Sequence, residues 1–127
     1  MKTKIKNILL STILSISCIS SASYAGDILD RIKDKKMLVV ATNSDYRPNS
    51  FLGDKNHLEG FDIDVSREIA KRLEVDVNFV TPGWEIMTAG RWVGRWHMAV
   101  GSMTPTKKRA QILDFPAVYY FTPAGVA

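Results

Sequence analysis

Cysteine is almost absent from this sequence of 127 residues, since Cys18 is the only one. Histidine is nearly as scarce, and neither His57 nor His97 has other ligand-type residues near it at the spacing of a metal site. The sequence also lacks a Ser/His/Asp set, a glycine-rich phosphate loop and a nucleophilic cysteine. An internal disulfide is therefore excluded, and we expect no catalytic residues, no metal site and no cofactor.

A long apolar run is also missing, and this decides how the N-terminus is interpreted. Residues 1–25 have three lysines, then an apolar stretch at 8–19, then small residues with Ser23 and Ala25 where a signal peptidase reads. The apolar stretch is about half of the roughly 20 residues that span a bilayer. We therefore predict a signal peptide that is cleaved after Ala25 and a periplasmic protein. A lipoprotein cleaved before Cys18 is the alternative, although the residues before Cys18 fit the lipoprotein cleavage pattern poorly.

Excess positive charge is confined to this predicted leader. The whole chain has a net charge of +4, but the leader contains three lysines and no acidic residue, so the remainder is close to +1. Nucleic-acid-binding proteins usually keep a strong basic patch. We therefore expect no nucleic-acid partner.

Beyond the leader, the hydrophobic pattern alternates between strand and helix periods. The residues from Asp62 to Glu74 have apolar side chains four apart, which indicates an amphipathic helix. The predicted elements are an amphipathic lead-in at 27–36, a strand at 37–42, an irregular or hairpin segment at 46–60, a helix at 62–74, a strand at 75–79, a helix at 85–93 and a strand at 97–102. This order predicts one α/β domain at 26–127, with helices packed on a parallel sheet.

Two groups of residues have both a structural and a functional interpretation. Asp62 and Asp64 could form an acid–base or metal pair, but their position at a helix start favours capping and interaction with the helix dipole. Trp84, Trp92 and Trp96 could form a platform for a sugar, but the helical spacing of Trp92 and Trp96 favours packing.

The loop at 101–109 has the composition of an anion site. Ligands of open α/β sheets bind beyond the carboxyl ends of the strands, where this loop and the one at 43–51 lie. Thr104 before a proline predicts a helix N-cap, with free backbone N–H groups in the next turn. Arg109, one turn further on, could grip a carboxylate through its planar fork, or could simply be a solvated helix residue, as we expect for Lys107 and Lys108.

Two long stretches and one tryptophan resemble a known family. GFDIDVSREIAKRL (60–73), Trp84 and GSMTPTKKRAQILDFPAVYY (101–120) are similar to the N-terminal lobe of the family 3 solute-binding proteins, the extracytoplasmic receptors of polar amino-acid ABC transporters. The resemblance covers essentially all of the chain after the leader. It implies lobe 1 of a type II periplasmic binding protein fold, a small polar amino acid as ligand and a permease in the inner membrane as partner.

The resemblance also implies a binding site. In that family an arginine matched by Arg109 holds the ligand α-carboxylate, with help from the residues matched by Ser102 and Thr104. An aromatic residue matched by Tyr46 often covers the ligand. This sequence departs from the family in having His97 where Asp is frequent, and in a first loop that is one residue longer.

The second lobe of that family has no counterpart here, and the sequence stops inside an apolar segment. We therefore expect a chain truncated near the hinge, with weak or undetectable binding. Two alternatives remain open at this point: a dehydratase-like periplasmic enzyme of the same fold, and a small secreted interaction module.

Overall fold

A computed structural model describes residues 24–92, 94–123 and 125. The predicted leader lies outside the described residues except for its last two, which begin the first helix. The elements in chain order are α1 (Tyr24–Lys35), β1 (Met37–Ala41), β2 (Asp45–Tyr46), β3 (Ser50–Leu52), β4 (Leu58–Glu59), α2 (Phe61–Arg72), β5 (Asp76–Val80), α3 (Trp84–Thr88), β6 (Met98–Ala99) and a 3-10 turn (Arg109–Gln111). No helix among these residues is both long enough and apolar enough to cross a membrane.

The main sheet is parallel, with the strands in the order β5-β1-β6. The central strand, β1, pairs with β5 along its whole length, and its last two residues pair with β6. The strand–helix–strand order therefore produced the parallel α/β sheet that the sequence predicts. Because β1 lies in the middle, the loops after all three strands emerge side by side at one edge of the sheet.

The two faces of β1 are covered by different elements, since successive strand residues point to opposite faces. Leu38 and Val40 are almost fully buried against α1 and α2, in a cluster with Ile32, Ala70 and Val100. On the other face, Ala41 packs with Met87 of α3 and with Trp96, and Val39 and Trp92 lie at the margin of this cluster. The prediction that the two tryptophans serve packing is confirmed.

A small antiparallel sheet, in the order β2-β3-β4, occupies the segment predicted as irregular or hairpin. It is joined to α2 by Gly60, whose φ of 121° lies in a region that side chains disfavour. A Cβ there would clash with the Asn49 carbonyl oxygen. That carbonyl accepts a hydrogen bond of 2.8 Å from the N–H of Asp62, so the hairpin is fixed to the start of the helix.

Several predicted elements are shorter than expected. The helix predicted at 85–93 is the single turn of α3, and the strand predicted at 97–102 is reduced to the two residues of β6. Beyond β6, the N–H of Val100 still donates to the Ala41 carbonyl, and the chain then turns at Ser102, whose φ of 53° lies in the left-handed region. The capping role of Asp62 and Asp64 is wrong: Gly60 is the N-cap residue of α2, without a side-chain cap, and Asp64 pairs with Arg67 on the surface.

Candidate functional site

An open cleft of about 430 Å³ lies where the loops after β1, β5 and β6 meet. It contains all four residues that were predicted to bind a ligand, Tyr46, Ser102, Thr104 and Arg109. Its complete lining is Asn43, Asp45, Tyr46, Trp84, Gly101, Ser102, Thr104 and Arg109. The fold thus brings together side chains that are up to 66 positions apart along the chain.

The turn that carries Arg109 differs from the prediction. No helix begins at Thr104; instead, the hydroxyl of Thr106 accepts a hydrogen bond of 3.2 Å from the N–H of Arg109. The Thr106 carbonyl also accepts from the N–H of Ala110, at 2.9 Å. Thr106 thus makes cap-like contacts to this turn, whereas the residue directly before the 3-10 turn is Lys108, which provides no side-chain cap. The Arg109 carbonyl then accepts from the N–H groups of Ile112 and Leu113, at 3.0 and 2.9 Å, and the turn ends there.

The Arg109 side chain folds back over this turn and into the cleft. Its Nη1 donates to the Thr104 carbonyl at 2.8 Å, and its guanidinium carbon lies 5.2 Å from the centre of the Trp84 ring. A guanidinium has five N–H donors in a fixed plane, and within the described part of the chain only Nη1 has an acceptor. The remaining donors are available to an anion, while Lys107 and Lys108 are exposed, as predicted.

Ser102 lies at the wall of the cleft, but its polar groups are engaged inside the protein. Its hydroxyl contacts both carboxylate oxygens of Asp62, at 2.9 and 3.0 Å, and accepts from Nδ2 of Asn49 at 3.0 Å. Its backbone N–H donates to the Tyr119 hydroxyl at 2.8 Å. Ser102 therefore connects the cleft to a polar cluster around the buried Asp62.

Asp62 is the centre of that cluster and has no exposed surface. Besides Ser102, the Tyr119 hydroxyl donates to it at 2.9 Å. Burial raises the pKa of the Asp62 carboxyl, and the hydrogen bonds from Ser102 and Tyr119 oppose this shift. Burial also raises the pKa of Tyr119, to about 12. The residues that the structure describes contain no cluster of metal-ligating side chains around it or elsewhere.

Trp84, Asn43 and Asp45 belong to the cleft but were not predicted as site residues. Trp84 follows the Pro-Gly turn after β5, and applying the strand-end rule to that third loop would have found it. The Nδ2 of Asn43 donates to the Gly101 carbonyl at 3.3 Å, which joins the first and third loops. Tyr46 and Trp84 keep 49% and 38% of their surface exposed, so both aromatic rings remain accessible to a ligand.

A second cavity, of about 180 Å³, lies between α2 and residues 113–117. Its lining is mostly apolar, including Val65, Ile69 and Met98, and it contains no basic side chain. It therefore lacks a partner for an anion, and the polar cleft is the better candidate for a ligand site.

A parallel α/β lobe with a polar cleft at the carboxyl ends of its strands defines a class of ligand-binding domain. Residues 38–127 match the bacterial extracellular solute-binding proteins of family 3, and the chain belongs to this family. The chain is 32% identical to a probable amino-acid ABC transporter-binding protein of Haemophilus influenzae over 119 residues, 92% of this chain and 46% of that protein. It is 39% identical to the L-cystine-binding protein TcyA of Bacillus subtilis over 102 residues, 80% of this chain and 38% of that protein. The chain thus spans less than half the length of these relatives.

Solved structures give the same fold. The arginine-bound form of domain 1 from TmArgBP matches with a TM-score of 0.68 and 27% identity, covering 72% of each chain. An ancestral cyclohexadienyl dehydratase also matches, with a TM-score of 0.68 and 35% identity over 72% of this chain and 38% of that one. The predicted fold class, lobe 1 of a periplasmic binding protein, is confirmed. The family includes enzymes as well as binding proteins, although the two curated relatives above are named as binding proteins.

Proposed function

We propose that this chain is the ligand-capturing lobe of a periplasmic amino-acid receptor that serves an ABC transporter. The observation that supports this most directly is the position of Arg109. Its guanidinium is held at the cleft by the Thr104 carbonyl and lies over Trp84. An arginine fork with unused donors, in a cleft at the carboxyl ends of parallel strands, suits a carboxylate ligand.

The other cleft residues complete the half-site. In the proposed complex, the ligand α-carboxylate binds the outer N–H groups of Arg109 and the hydroxyl of Thr104. Ser102 shapes the turn beneath it, and Tyr46 covers the rest of the ligand. Trp84, whose ring already lies beside the guanidinium, closes the opposite side. The roles of Arg109, Thr104 and Tyr46 agree with what the resemblance to the family implies. Ser102 differs, because its N–H and hydroxyl are engaged with Tyr119 and Asp62 and it supports the turn instead of contacting the carboxylate.

A single lobe supplies only part of the contacts that a two-lobed receptor makes by closing around its ligand. We therefore propose measurable but weak binding by this chain. The solved domain 1 of TmArgBP, an isolated lobe in its arginine-bound form, supports retention of ligand by one lobe. The proposed setting is the periplasm, after cleavage of residues 1–25, with 26–127 as the binding lobe and an inner-membrane permease as the partner.

Binding is preferred to turnover for a reason found in the cleft itself. The charged side chains lining it, in the part of the chain that the structure describes, are Asp45 and Arg109. Neither of the groups with raised pKa values, Asp62 and Tyr119, lines this cleft, and they are bonded to each other. A catalytic acid or base would have to reach the ligand directly. Conversion of a cyclohexadienyl acid by this chain would overturn the preference.

The experiment that tests the proposal is a titration of the ¹⁵N-labelled protein with individual amino acids, followed by NMR. This method detects millimolar binding, which a single lobe would produce. We expect one or more polar amino acids to shift the amide signals of Ser102 and Thr104 and the Nε signal of Arg109, leaving Leu38 in the core unchanged. Absence of shifts with every common amino acid and with cystine at several millimolar would refute the proposal.

A further inference from the structure

Behind the wall of the cleft, three segments distant in sequence meet at one carboxylate. Asp62 comes from the start of α2, Ser102 from the loop after β6, and Tyr119 from the extended segment that follows the 3-10 turn. Their mutual distances, all between 2.8 and 3.0 Å, are those of good hydrogen bonds. Asn49 of the hairpin adds a fourth segment through its bond to the Ser102 hydroxyl.

The hydrogen bonds of Ser102, Tyr119 and Asp62 form a ring. The N–H of Ser102 donates to the Tyr119 hydroxyl, and that hydroxyl donates in turn to Asp62 Oδ1. The hydroxyl of Ser102 donates to the same carboxylate. Both the backbone and the side chain of Ser102 are thereby bound to Asp62, one through Tyr119 and one directly.

Ser102 needs such support because its backbone conformation is unfavourable. A φ of 53° lies in the left-handed region, which residues other than glycine, asparagine and aspartate seldom adopt. Such a conformation persists only when surrounding contacts hold it. The turn it makes directs the chain from β6 toward Thr104, whose carbonyl holds the guanidinium of Arg109.

Asp62 is an unusual residue to find in this position. It is completely buried, and no cationic side chain among the described residues contacts it. A buried carboxylate without a counter-charge costs free energy unless hydrogen bonds compensate. An apolar residue would serve simple packing better, so its presence indicates a specific task for its acceptor oxygens.

We infer that Asp62 and Tyr119 form a positioning pair that holds the Ser102 turn, and through it Thr104 and Arg109, in the geometry that binds the ligand carboxylate. Neither residue is required to touch the ligand. The expected effect on ligand affinity rests on the proposed function. The rigidity of the Ser102 turn is a property of the free protein and is tested without a ligand.

The first test is Tyr119→Phe in the full chain, with backbone order parameters measured by NMR. The substitution removes the acceptor of the Ser102 N–H and one donor to Asp62. We expect the order parameter of Ser102 to fall from the rigid range, about 0.85, toward the flexible range, below about 0.6. Val100, whose N–H donates to the Ala41 carbonyl, should remain rigid and so excludes global loosening.

Tyr120→Phe is the matched control, because it removes a hydroxyl from the adjacent residue that bonds only to Asn49 among the described residues. We expect it to leave Ser102 rigid. An unchanged Ser102 in Tyr119→Phe, or equal loosening in both variants, would overturn the inference. Asp62→Asn is the second variant should Tyr119→Phe not fold, and the same loosening at Ser102 is expected because one carboxylate acceptor is lost.

The second test is the affinity for L-arginine, L-histidine and L-cystine by the same titration. For any of these that the wild type binds, Tyr119→Phe should weaken binding on the order of fivefold, the loss of about one net hydrogen bond, and Tyr120→Phe should not. Equal affinities in the presence of a loosened turn would overturn the link to binding. A wild type that binds none of the amino acids would refute the proposed function, while the order parameters would still decide whether the pair holds the turn.

Discussion

Replacement of Arg109 by alanine removes the cation that we place on the ligand carboxylate. The change deletes a guanidinium whose carbon lies 5.2 Å from the Trp84 ring and whose Nη1 is anchored at 2.8 Å by Thr104. Each hydrogen bond to a charged group contributes about 1.5–3 kcal/mol. Since Arg109 is only half-buried, solvent screening reduces the gain, and we expect the two bonds of the fork together to contribute about 2–3 kcal/mol.

A loss of about 2–3 kcal/mol corresponds to a Kd roughly 30- to 150-fold higher. The assay is the NMR titration with whichever amino acid binds the wild type most tightly. Arg109→Lys keeps the positive charge but loses the planar fork, so it should recover only a minor part of the affinity. Urea unfolding of Arg109→Ala should show a loss of about 1 kcal/mol or less, because the internal contacts of the side chain lie at the surface.

Lys107→Ala is the matched control for charge, since it removes one positive charge two residues away on an exposed side chain. We expect its Kd to remain within about twofold of the wild type. If Arg109→Ala binds as well as the wild type, the carboxylate role is refuted. If Lys107→Ala loses as much affinity as Arg109→Ala, general electrostatic attraction and not a fork would explain the binding.

Three further predictions concern stability. Burial lowers the pKa of His97 below its usual 6.5, and its Nδ1 accepts from the Val39 N–H at 3.0 Å. The stabilisation by neutral His97 is present above pH 6.5 and is lost as the pH falls through the lowered pKa. The free energy of unfolding in urea should therefore decrease over that window for the wild type but not for His97→Gln. Gly60→Ala should destabilise the protein by about 1–3 kcal/mol because of its φ and its clash with a backbone carbonyl. Gly83→Ala is the control, since Gly83 has a φ of −58° and a Cβ there would meet only the Glu85 carboxylate at 3.8 Å; it should be neutral or stabilising by up to about 1 kcal/mol, and equal melting temperatures for the two variants would contradict this. Leu38→Ala, at a position 1% exposed, should cost about 2–5 kcal/mol in urea unfolding, and a loss below about 1 kcal/mol would show that β1 is not the centre of the core.

Much of the fold could be predicted because its signals are local and periodic. The apolar run of β1 and the four-residue spacing of α2 gave elements close to those observed, and their order gave the parallel sheet. The short elements were predicted less well. β6 ends at Ala99, and three residues later Ser102 takes a positive φ. That conformation is held by hydrogen bonds to Asp62 and Tyr119, which no local pattern reveals.

The site shows the same division. Arg109, Ser102, Thr104 and Tyr46 were placed in one cleft through a resemblance between motifs, and the structure brings them together. Trp84 was missed because only two of the three strand-end loops were considered. Asp62 was misinterpreted as a cap because its position at a helix start is what the sequence displays, while its burial and its partners 40 and 57 residues away depend on the tertiary fold.

Stability and binding are largely separate in this lobe, and the Asp62 cluster is where they meet. Leu38 and Val40 lie in the sheet below the cleft, so core substitutions should lower the free energy of unfolding without changing the Kd of the folded fraction. Arg109→Ala should show the reverse, a raised Kd with little change in the free energy of unfolding.

Asp62 has a folded-state pKa raised by burial, so its contribution to stability is complete below its usual value of 3.8 and is lost as the pH rises through the raised pKa. The wild type should therefore lose stability relative to Asp62→Asn as the pH rises over that window, although the same substitution loosens Ser102 and weakens binding. A positioning role for Asp62 predicts a buried carboxylate that lowers the free energy of unfolding at neutral pH but improves the binding site. An Asp62→Asn protein with unchanged stability at every pH would contradict this role.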